Sequence, residues 1–483
     1  MEYPFPNHLL AIIGAGMGGA TAAYYLRQLF GSEVGITVFE QSGRIGGRIK
    51  SANFAGQLIE TGASIYHTSN LYMVNFAKKF GLSVQDMSAS DDRIMIYDGR
   101  GGLSFSSLNG PSFFVQFRML QRYGLQLIQL RSATSSLIQD FSSIYSLQDS
   151  GECFATPASL LAAITPEFVE MTKWTFGDWL RQLTKISDPL ISEIAYGAVS
   201  KNTCQNLNVH AFVGFISLAG MTPKLAAIRD GNELVPKMLI EHALEHNPTG
   251  NPGGFIHAKV TAIQPSTSVD SSYTVEYVLA QEENTKKATF DYVVLAAPMH
   301  QAANILGRGN IKLPTATYCR VDHALICGTL KYSAFGILPG SVIGNKLPMI
   351  LPSESAYEEK LCPFRSLFLL PTKVADGSAN VYSSFIVPER STDPIKSLTS
   401  FIDPVTPTND IGSRGLKTEW FACPVYKPVE DPQEELGTFI LAPNLYYANA
   451  IEAIASCMEI AAIGGRNVAL LIAAQRRSSK QPT

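Results

Sequence analysis

The spacing of hydrophobic positions changes character several times along this chain, and each change predicts an element. Leu9 to Ile13 is an unbroken apolar run of strand length, cut off by Gly14-Ala15-Gly16-Met17-Gly18-Gly19. Ala20 to Phe30 has helical spacing and stops at Gly31, and a second β-like run, Ile36 to Phe39, ends on Glu40. Residues 112–147 and 158–198 hold few breakers and predict helices. Phe113, Phe114, Phe117, Leu120 and Tyr123 fall at helical spacings in the first stretch, and Trp174 and Trp179 lie in the second. Aromatic residues so spaced are expected in a core rather than in a ligand pocket. Within 228–244, Ile228-Arg229-Asp230-Gly231-Asn232-Glu233-Leu234 reads as a turn leading into a helix.

A β-rich block comes next. Phe255 to Ile263 and Tyr273 to Leu279 alternate, and Phe290 to Pro298 is a buried-strand run. Residues 316–387 hold further β-like segments, among them His323 to Leu330 and Asn380 to Val387, and predict an antiparallel sheet. The Pro-, Ser- and Thr-rich residues 388–410 predict loops. Gly437 to Leu441 reads as a strand, and Leu445-Tyr446-Tyr447-Ala448-Asn449 leads to Ser456-Cys457-Met458-Glu459-Ile460-Ala461 and a long helix to about Arg476. No internal repeat is visible.

The first forty residues form one unit: strand, glycine turn, helix, strand, acid. This order and spacing binds an adenine dinucleotide. Gly14 allows the tight turn, Gly16 lets the backbone approach a pyrophosphate, and Gly19 lets the helix pack close to the strand. The helix N-terminus offers free N–H groups and a positive dipole end to phosphates. Glu40, next to Gln41, can accept from a ribose hydroxyl.

Two segments beyond Glu40 select the dinucleotide. The first is Arg44-Ile45-Gly46-Gly47-Arg48, and the second is Ile59-Glu60-Thr61-Gly62-Ala63-Ser64. These segments resemble the second fingerprint of FAD proteins in the amine oxidase and glutathione reductase superfamily. The resemblance implies glycines passing under the flavin, with Arg48 reaching the pyrophosphate as a fork of donors and Arg44, Gly62, Ala63 and Ser64 beside it. In that superfamily a Met-Glu pair opens the last helix, its N-terminal amides aimed at the ribityl and flavin O2 region, and Met458-Glu459 matches that pair. Val260, in the alternating run, joins the expected cofactor contacts. The expected fold is α/β: a Rossmann-type FAD-binding domain (1–85 with 228–300 and 436–476) and a second, α+β substrate domain (86–227 with 301–435).

Composition narrows the classes. A chain of 483 residues exceeds one compact core. Net charge is −3, which excludes the basic footprint of a nucleic-acid binder. The 7 cysteines form no CxxC pair, so neither a metal site nor a redox dithiol is expected, and no disulfide framework is indicated. Only MEYPFPNH precedes the first apolar run, too short for a signal peptide. The N-terminal apolar stretch is interrupted by the glycine turn and Arg27, so no transmembrane segment is expected. Nothing in the sequence sets an oligomeric state.

Nearly end to end, the chain resembles the prenylcysteine oxidase (prenylcysteine lyase) family. The stretches that carry this are IIGAGMGGATAAYYLRQLFG, FEQSGRIGGR, IETGASIYHTSNLYMVNFAKKFGLS, AIRDGNELV, YVVLAAPMHQ and LYYANAIEAIASCMEIAAIGGRNVALL. Asp230 departs from an expected glycine. The resemblance implies FAD-dependent oxidation of a prenylated cysteine by O2 and water, giving prenyl aldehyde, cysteine and hydrogen peroxide. It also implies a lysosomal or vacuolar site, against which the missing leader leaves the cytoplasm as the alternative. His67 lies just after the segment expected near the flavin and is the candidate for handling water or the cysteine carboxylate, with a hydrogen-bonded structural role as its alternative. His210, His300 and His323 have weaker claims. The same fold could serve a flavin amine oxidase or carotenoid-type desaturase, or a non-enzymatic prenyl carrier resembling Rab GDP-dissociation inhibitors.

Overall fold

Two large sheets, one mostly parallel and one mostly antiparallel, organise the chain. A computed structural model describes residues 8–87, 94–107, 112–183, 185–222, 224–245, 247, 253–267, 271–306, 316–338, 349–373, 379–406 and 415–479. In the first sheet His8–Ile13 lies parallel between Val34–Glu40 and Tyr292–Leu295. Parallel pairing extends outward to Gly254–Pro265 on one side and Leu445–Tyr447 on the other. All seven residues of Val34–Glu40 are buried, as a parallel strand covered on both faces requires. Gly254–Pro265 then turns into an antiparallel meander with Tyr273–Leu279 and Thr285–Phe290.

Helix α1, Met17–Phe30, succeeds the first strand and packs against the terminal helix Met458–Ser479. Small residues set that approach: a Cβ on Gly465 would sit 2.3 Å from the Gly18 carbonyl oxygen. Arg27 is buried, yet its guanidinium is spent on main-chain carbonyls: Nε donates to Ala243 O at 2.8 Å and Nη1 to Val34 O at 3.0 Å. Those bonds tie the end of α1 to its neighbours and satisfy a charge that burial alone would penalise.

The second sheet runs Ile402–Pro404, Tyr318–Leu330, Asn380–Ile386, Phe364–Lys373, Met349–Pro352, Ile94–Tyr97, Leu103–Ser106, with Gly415–Pro424 also paired to the long Tyr318–Leu330 strand. Its strands come from 94–106 and 318–424, whereas those of the first sheet come from 8–40, 254–295 and 440–447. Helices between residues 112 and 219 cap it, and α2, Leu71–Lys79, lies against the terminal helix. Among the described residues no helix is long and apolar enough to cross a membrane.

Several expectations need correction. Residues 388–410 are not all loop: Asp393 caps a short helix, Pro394–Leu398, and Ile402–Pro404 pairs with Gly328–Leu330, while 407–410 lie outside the described residues. The expected 437–441 strand is Ile440–Ala442, because Gly437 (φ 82°) is a turn residue. Thr285–Phe290 is a strand although its sequence, with two lysines and two threonines, holds no apolar run; at the sheet edge one face is solvated. The 112–147 region breaks at Gly124 (φ 67°) into α3, Ser112–Tyr123, and α4, Gln126–Phe141, with a third helix at Ser143–Asp149. Tyr123 is core, but Phe113, Phe114, Phe117 and Leu120 are 71%, 56%, 57% and 40% exposed. Helical spacing identified the apolar face of α3 but not what covers it.

Candidate functional site

The glycine turn is fixed by main-chain contacts. Gly14 has φ 110°, and a Cβ there would meet Ala296 O at 2.7 Å. A Cβ on Gly19 would lie 2.0 Å from Gly14 O. Gly16 differs: the nearest protein atom to an added Cβ is Gly47 Cα at 3.8 Å, so what a side chain there would fill is cavity. Gly18 faces Asn449, whose Oδ1 would be 3.1 Å from a Cβ. Gly46 and Gly47 both take positive φ, 131° and 58°, which brings Gly46 N onto Ala15 O at 2.9 Å. Gly62 is pinned because a Cβ would lie 2.1 Å from Arg48 O.

Glu40 closes this end. Its Oε2 accepts from Ala15 N at 2.9 Å and its Oε1 from Ser42 N and Oγ at 2.8 and 2.7 Å. Three of roughly four acceptor directions of the carboxylate are used, leaving one for a ribose hydroxyl. Gln41 lines the cavity and reaches Gln301 at 3.2 Å. The two arginines correct the sequence expectation. Arg44 donates to Ile49 O at 2.7 Å and to Gly47 O, so it staples its own loop. Arg48 lines the cavity, but its guanidinium is turned to Glu452, Ala422 O (2.9 Å) and Ser456 Oγ (3.3 Å). The physical reason is Glu452: it is 2% exposed and needs a countercharge. Glu452 also accepts from Tyr318 OH at 2.7 Å and Asn449 Nδ2 at 2.9 Å.

The Asp230 departure resolves one residue later. Gly231 (φ 104°) makes the turn, and Asn232 locks it: Oδ1 accepts from Ile228 N at 2.9 Å, Nδ2 donates to Ala63 O at 3.1 Å, and its N–H donates to Glu60 at 2.6 Å. Burial pushes Glu60 up to about 7.

At the terminal helix, Met458 and Glu459 line the cavity, and the Glu459 side chain has a structural task the sequence did not show. Its oxygens accept from Tyr72 N (2.8 Å), Met73 N (3.0 Å) and Tyr145 OH (2.8 Å), holding the start of α2. What this helix can offer a cofactor is its N-terminal main chain, not that carboxylate. Burial pushes Glu459 up to about 7.

Around these groups runs one cavity of about 1970 Å³, larger than the ~300–1,000 Å³ of an ordinary ligand pocket. Gly14, Gly16, Met17, Gly18, Glu40, Gln41, Arg44, Gly46, Gly47, Arg48, Gly62, Ala63, Ser64, His67, Val260, Met458 and Glu459 all line it, whereas Ala15 and Gly19 are behind the wall. Met119, Leu127, Leu130, Phe141, Val213 and Ile216 also line it and supply its apolar lobe. The chain's residues fit FAD: a main-chain cradle, a carboxylate with a spare acceptor, and room for a dinucleotide and an apolar ligand together. His67 accepts from Ser69 N through Nδ1 at 3.0 Å, which leaves Nε2 to carry the proton, and burial together with Lys224 lowers its pKa. His323 also lines the cavity, bonded to Ser383 Oγ at 2.7 Å, and burial lowers it to about 4. His300 packs on Tyr318 and Phe421, and His210 caps the helix Ala211–Ala219. Lys201 borders the cavity with its pKa lowered to about 8 by burial. Glu452, Asn449 and Asn232 lie in stretches that carry the family resemblance but were not singled out as site residues; the one local signal for Glu452 is an acid set in the apolar stretch Leu445–Ala455.

Comparison with known proteins gives a consistent setting. A family profile described as prenylcysteine lyase matches residues 110–482, and one described as NAD(P)-binding Rossmann-like domain matches 12–80. Prenylcysteine oxidase 1 of Homo sapiens is 30% identical over 97% of this chain and 90% of its own length. That of Mus musculus is 28% identical over 96% and 89%. Cyclohexylamine oxidase from Brevibacterium oxydans, a solved structure, superposes with a TM-score of 0.60 at 16% identity, covering 98% of this chain and 100% of that one, which is a likeness of fold.

Proposed function

The chain belongs to the prenylcysteine lyase family, and from that membership and the geometry of its cavity we propose that it is an FAD-dependent thioether oxidase acting on farnesyl- or geranylgeranyl-cysteine. The overall reaction converts prenylcysteine, O2 and water to prenyl aldehyde, cysteine and hydrogen peroxide. One observation carries the reading: the dinucleotide cradle and the apolar lobe line one and the same cavity.

When bound, FAD supplies the two-electron acceptor that O2 then reoxidises. The protein's own work is binding, orientation and exclusion of water. Gly14 to Gly18 present main chain to the pyrophosphate, and Glu40 holds its spare acceptor for the adenosine ribose. The apolar lobe takes the prenyl chain by burial of its area and keeps the reacting carbon dry. C1 of the substrate lies between sulfur and an alkene, and both stabilise the cation left when a hydride departs. Water adds to C1, and the hemithioacetal collapses to aldehyde and thiol. His67, with Nε2–H on the cavity side, is placed to hold that water or the cysteine carboxylate. By family, the compartment is the lysosome or vacuole; a native full-length product found diffuse in cytosol overturns that assignment.

The test is bond selectivity. A saturated S-alkyl cysteine of equal length retains the apolar area but loses alkene stabilisation, and each ~1.4 kcal/mol so lost slows turnover about tenfold. Farnesylcysteine should release thiol and aldehyde, with deuterium at C1 slowing single-turnover reduction. Equal turnover of the saturated compound, or oxidation of a long-chain amine to ammonia without thiol release, overturns the proposal in favour of an amine oxidase.

A further inference from the structure

The hairpin of α3 and α4 has two apolar faces. The inner one, with Val115, Met119, Leu127 and Leu130, lines the cavity. The outer one carries Phe113, Phe114, Phe117, Leu120, Leu125 and Ile128, exposed by 71%, 56%, 57%, 40%, 73% and 58%. None of these six lines the cavity. Phe113 and Phe114 pack edge to face, ring centroids 5.8 Å apart. Large apolar residues scattered singly on a surface mean little, but a contiguous set marks an interaction site.

Charge selects the occupant. Residues 112–139 contain Arg118, Arg122 and Arg131 and no Asp or Glu. Arg118 and Arg122, with Gln121 and Pro189, border a groove of about 380 Å³. Of the acids nearby, Glu193 accepts from Arg122 Nε at 2.8 Å and Asp188 from Arg181 at 3.1 Å, while Asp140, near the end of α4, is exposed. Arg131 is exposed at the cavity margin. A second copy docked on this face by a two-fold axis would set these arginines against their own kind. An amphipathic hairpin with aromatic residues on one side and three arginines against one acid, Asp140, matches an anionic lipid interface instead.

We propose that the outer face of the α3–α4 hairpin is a docking surface for an anionic phospholipid bilayer, its phenylalanines at the acyl–headgroup boundary and Arg131 on lipid phosphates. The same two helices then place the apolar lobe of the cavity next to the membrane, from which a prenyl chain could transfer without crossing water. That second step rests on the proposed reaction; the docking does not.

The experiment is co-sedimentation of the flavin-loaded protein with vesicles of phosphatidylcholine alone or mixed with phosphatidylserine. Wild type should bind the mixed vesicles, bind the neutral ones far less, and be released by salt. Phe113→Ser/Phe114→Ser/Phe117→Ser should weaken binding at least about tenfold, with flavin content unchanged. Leu125→Ser/Ile128→Ser checks the same face from α4 and should weaken binding too. Three outcomes overturn the proposal: no vesicle binding by wild type, equal binding by both variants, or a wild-type dimer in solution that the triple variant dissociates. Vesicle binding without thiol release would defeat the proposed reaction and leave the docking surface standing.

Discussion

The two ends of the cavity are built from different materials. At the nucleotide end the wall is main chain: added Cβ atoms on Gly14, Gly46 and Gly62 would lie 2.7, 2.6 and 2.1 Å from carbonyl oxygens. At the prenyl end the wall is side chain, with Met119, Leu127, Leu130 and Ile216 meeting the cavity. Main-chain walls admit one residue type at a given position, because no side chain can be repacked out of a 2 Å overlap. Apolar walls tolerate exchange among residues of similar volume. Specificity for a universal cofactor and accommodation of a flexible isoprenoid are therefore written in different languages within one site.

The strongest way to break this comparison is a pair of glycine substitutions. Gly19→Ala places a methyl 2.0 Å from Gly14 O, which is packing between protein and protein. It should cost several kcal/mol, roughly the upper end of single-substitution effects, and yield little soluble protein. Gly16→Ala meets nothing closer than 3.8 Å, and Gly16 has an ordinary extended backbone (φ −76°). It should fold with an unchanged melting temperature when flavin is stripped, yet retain a small fraction of the flavin absorbance. If Gly16→Ala retains full flavin, the cradle is not where the pyrophosphate sits.

A smaller effect sharpens the boundary between the two ends, where Glu459 joins the terminal helix to α2 and Tyr145. Burial raises this carboxyl from 4.5 to about 7. An unfolded chain would ionise near 4.5, so between there and about 7 the folded state binds more protons, and stability falls as pH rises. The contribution is complete below pH 4.5 and gone above about 7. Its slope is at most about 1.4 kcal/mol per pH unit. Glu60, also raised to about 7, adds a slope of the same sign, so the quantity to measure is the wild-type curve minus that of Glu459→Gln. Urea unfolding across this window should show a shallower pH dependence for the variant. Parallel curves would mean that Glu459 is ionised throughout, held by its three donors.

Legibility in the sequence divides along the same line. Gly14, Gly16, Gly19 and Glu40 could be read because backbone geometry forces their identity at fixed spacing. Arg48 was readable as a site residue but not its partner: Glu452 lies 404 positions away, and an acid set in an apolar stretch does not say which cation it meets. Glu459 was readable by position, while its bonds to Tyr72 and Met73 exist only once α2 folds against the terminal helix. The outer face of α3 was legible as a period and misread as core, since spacing shows that residues share a face and not whether anything covers it. Thr285–Phe290 was missed because an edge strand of the meander needs no continuous apolar run.

The smallest predicted effect bears on the meeting point of flavin and substrate. His67 accepts from Ser69 N through Nδ1, so its Nε2–H is the group available to the cavity. Burial lowers its pKa below the ordinary 6.5, with Lys224 adding to the effect, which favours the neutral ring. A neutral donor to the cysteine carboxylate is worth about 1.5 kcal/mol, the low end for a bond to a charged group. His67→Ala should therefore raise KM for farnesylcysteine roughly tenfold while kcat stays within about a factor of two. The sign of the pH dependence is set by the same bond: protonation would strengthen the contact, so wild-type KM should be flat above pH 6.5 and fall only below it, and the variant should lose that fall. A kcat loss of about a thousandfold would instead make His67 a proton-transfer group in the rate-limiting step. No change in either constant would leave it a structural histidine holding the Tyr66–Asn70 turn, and would shift the search for the carboxylate's partner to Lys201, another side chain that lines the cavity.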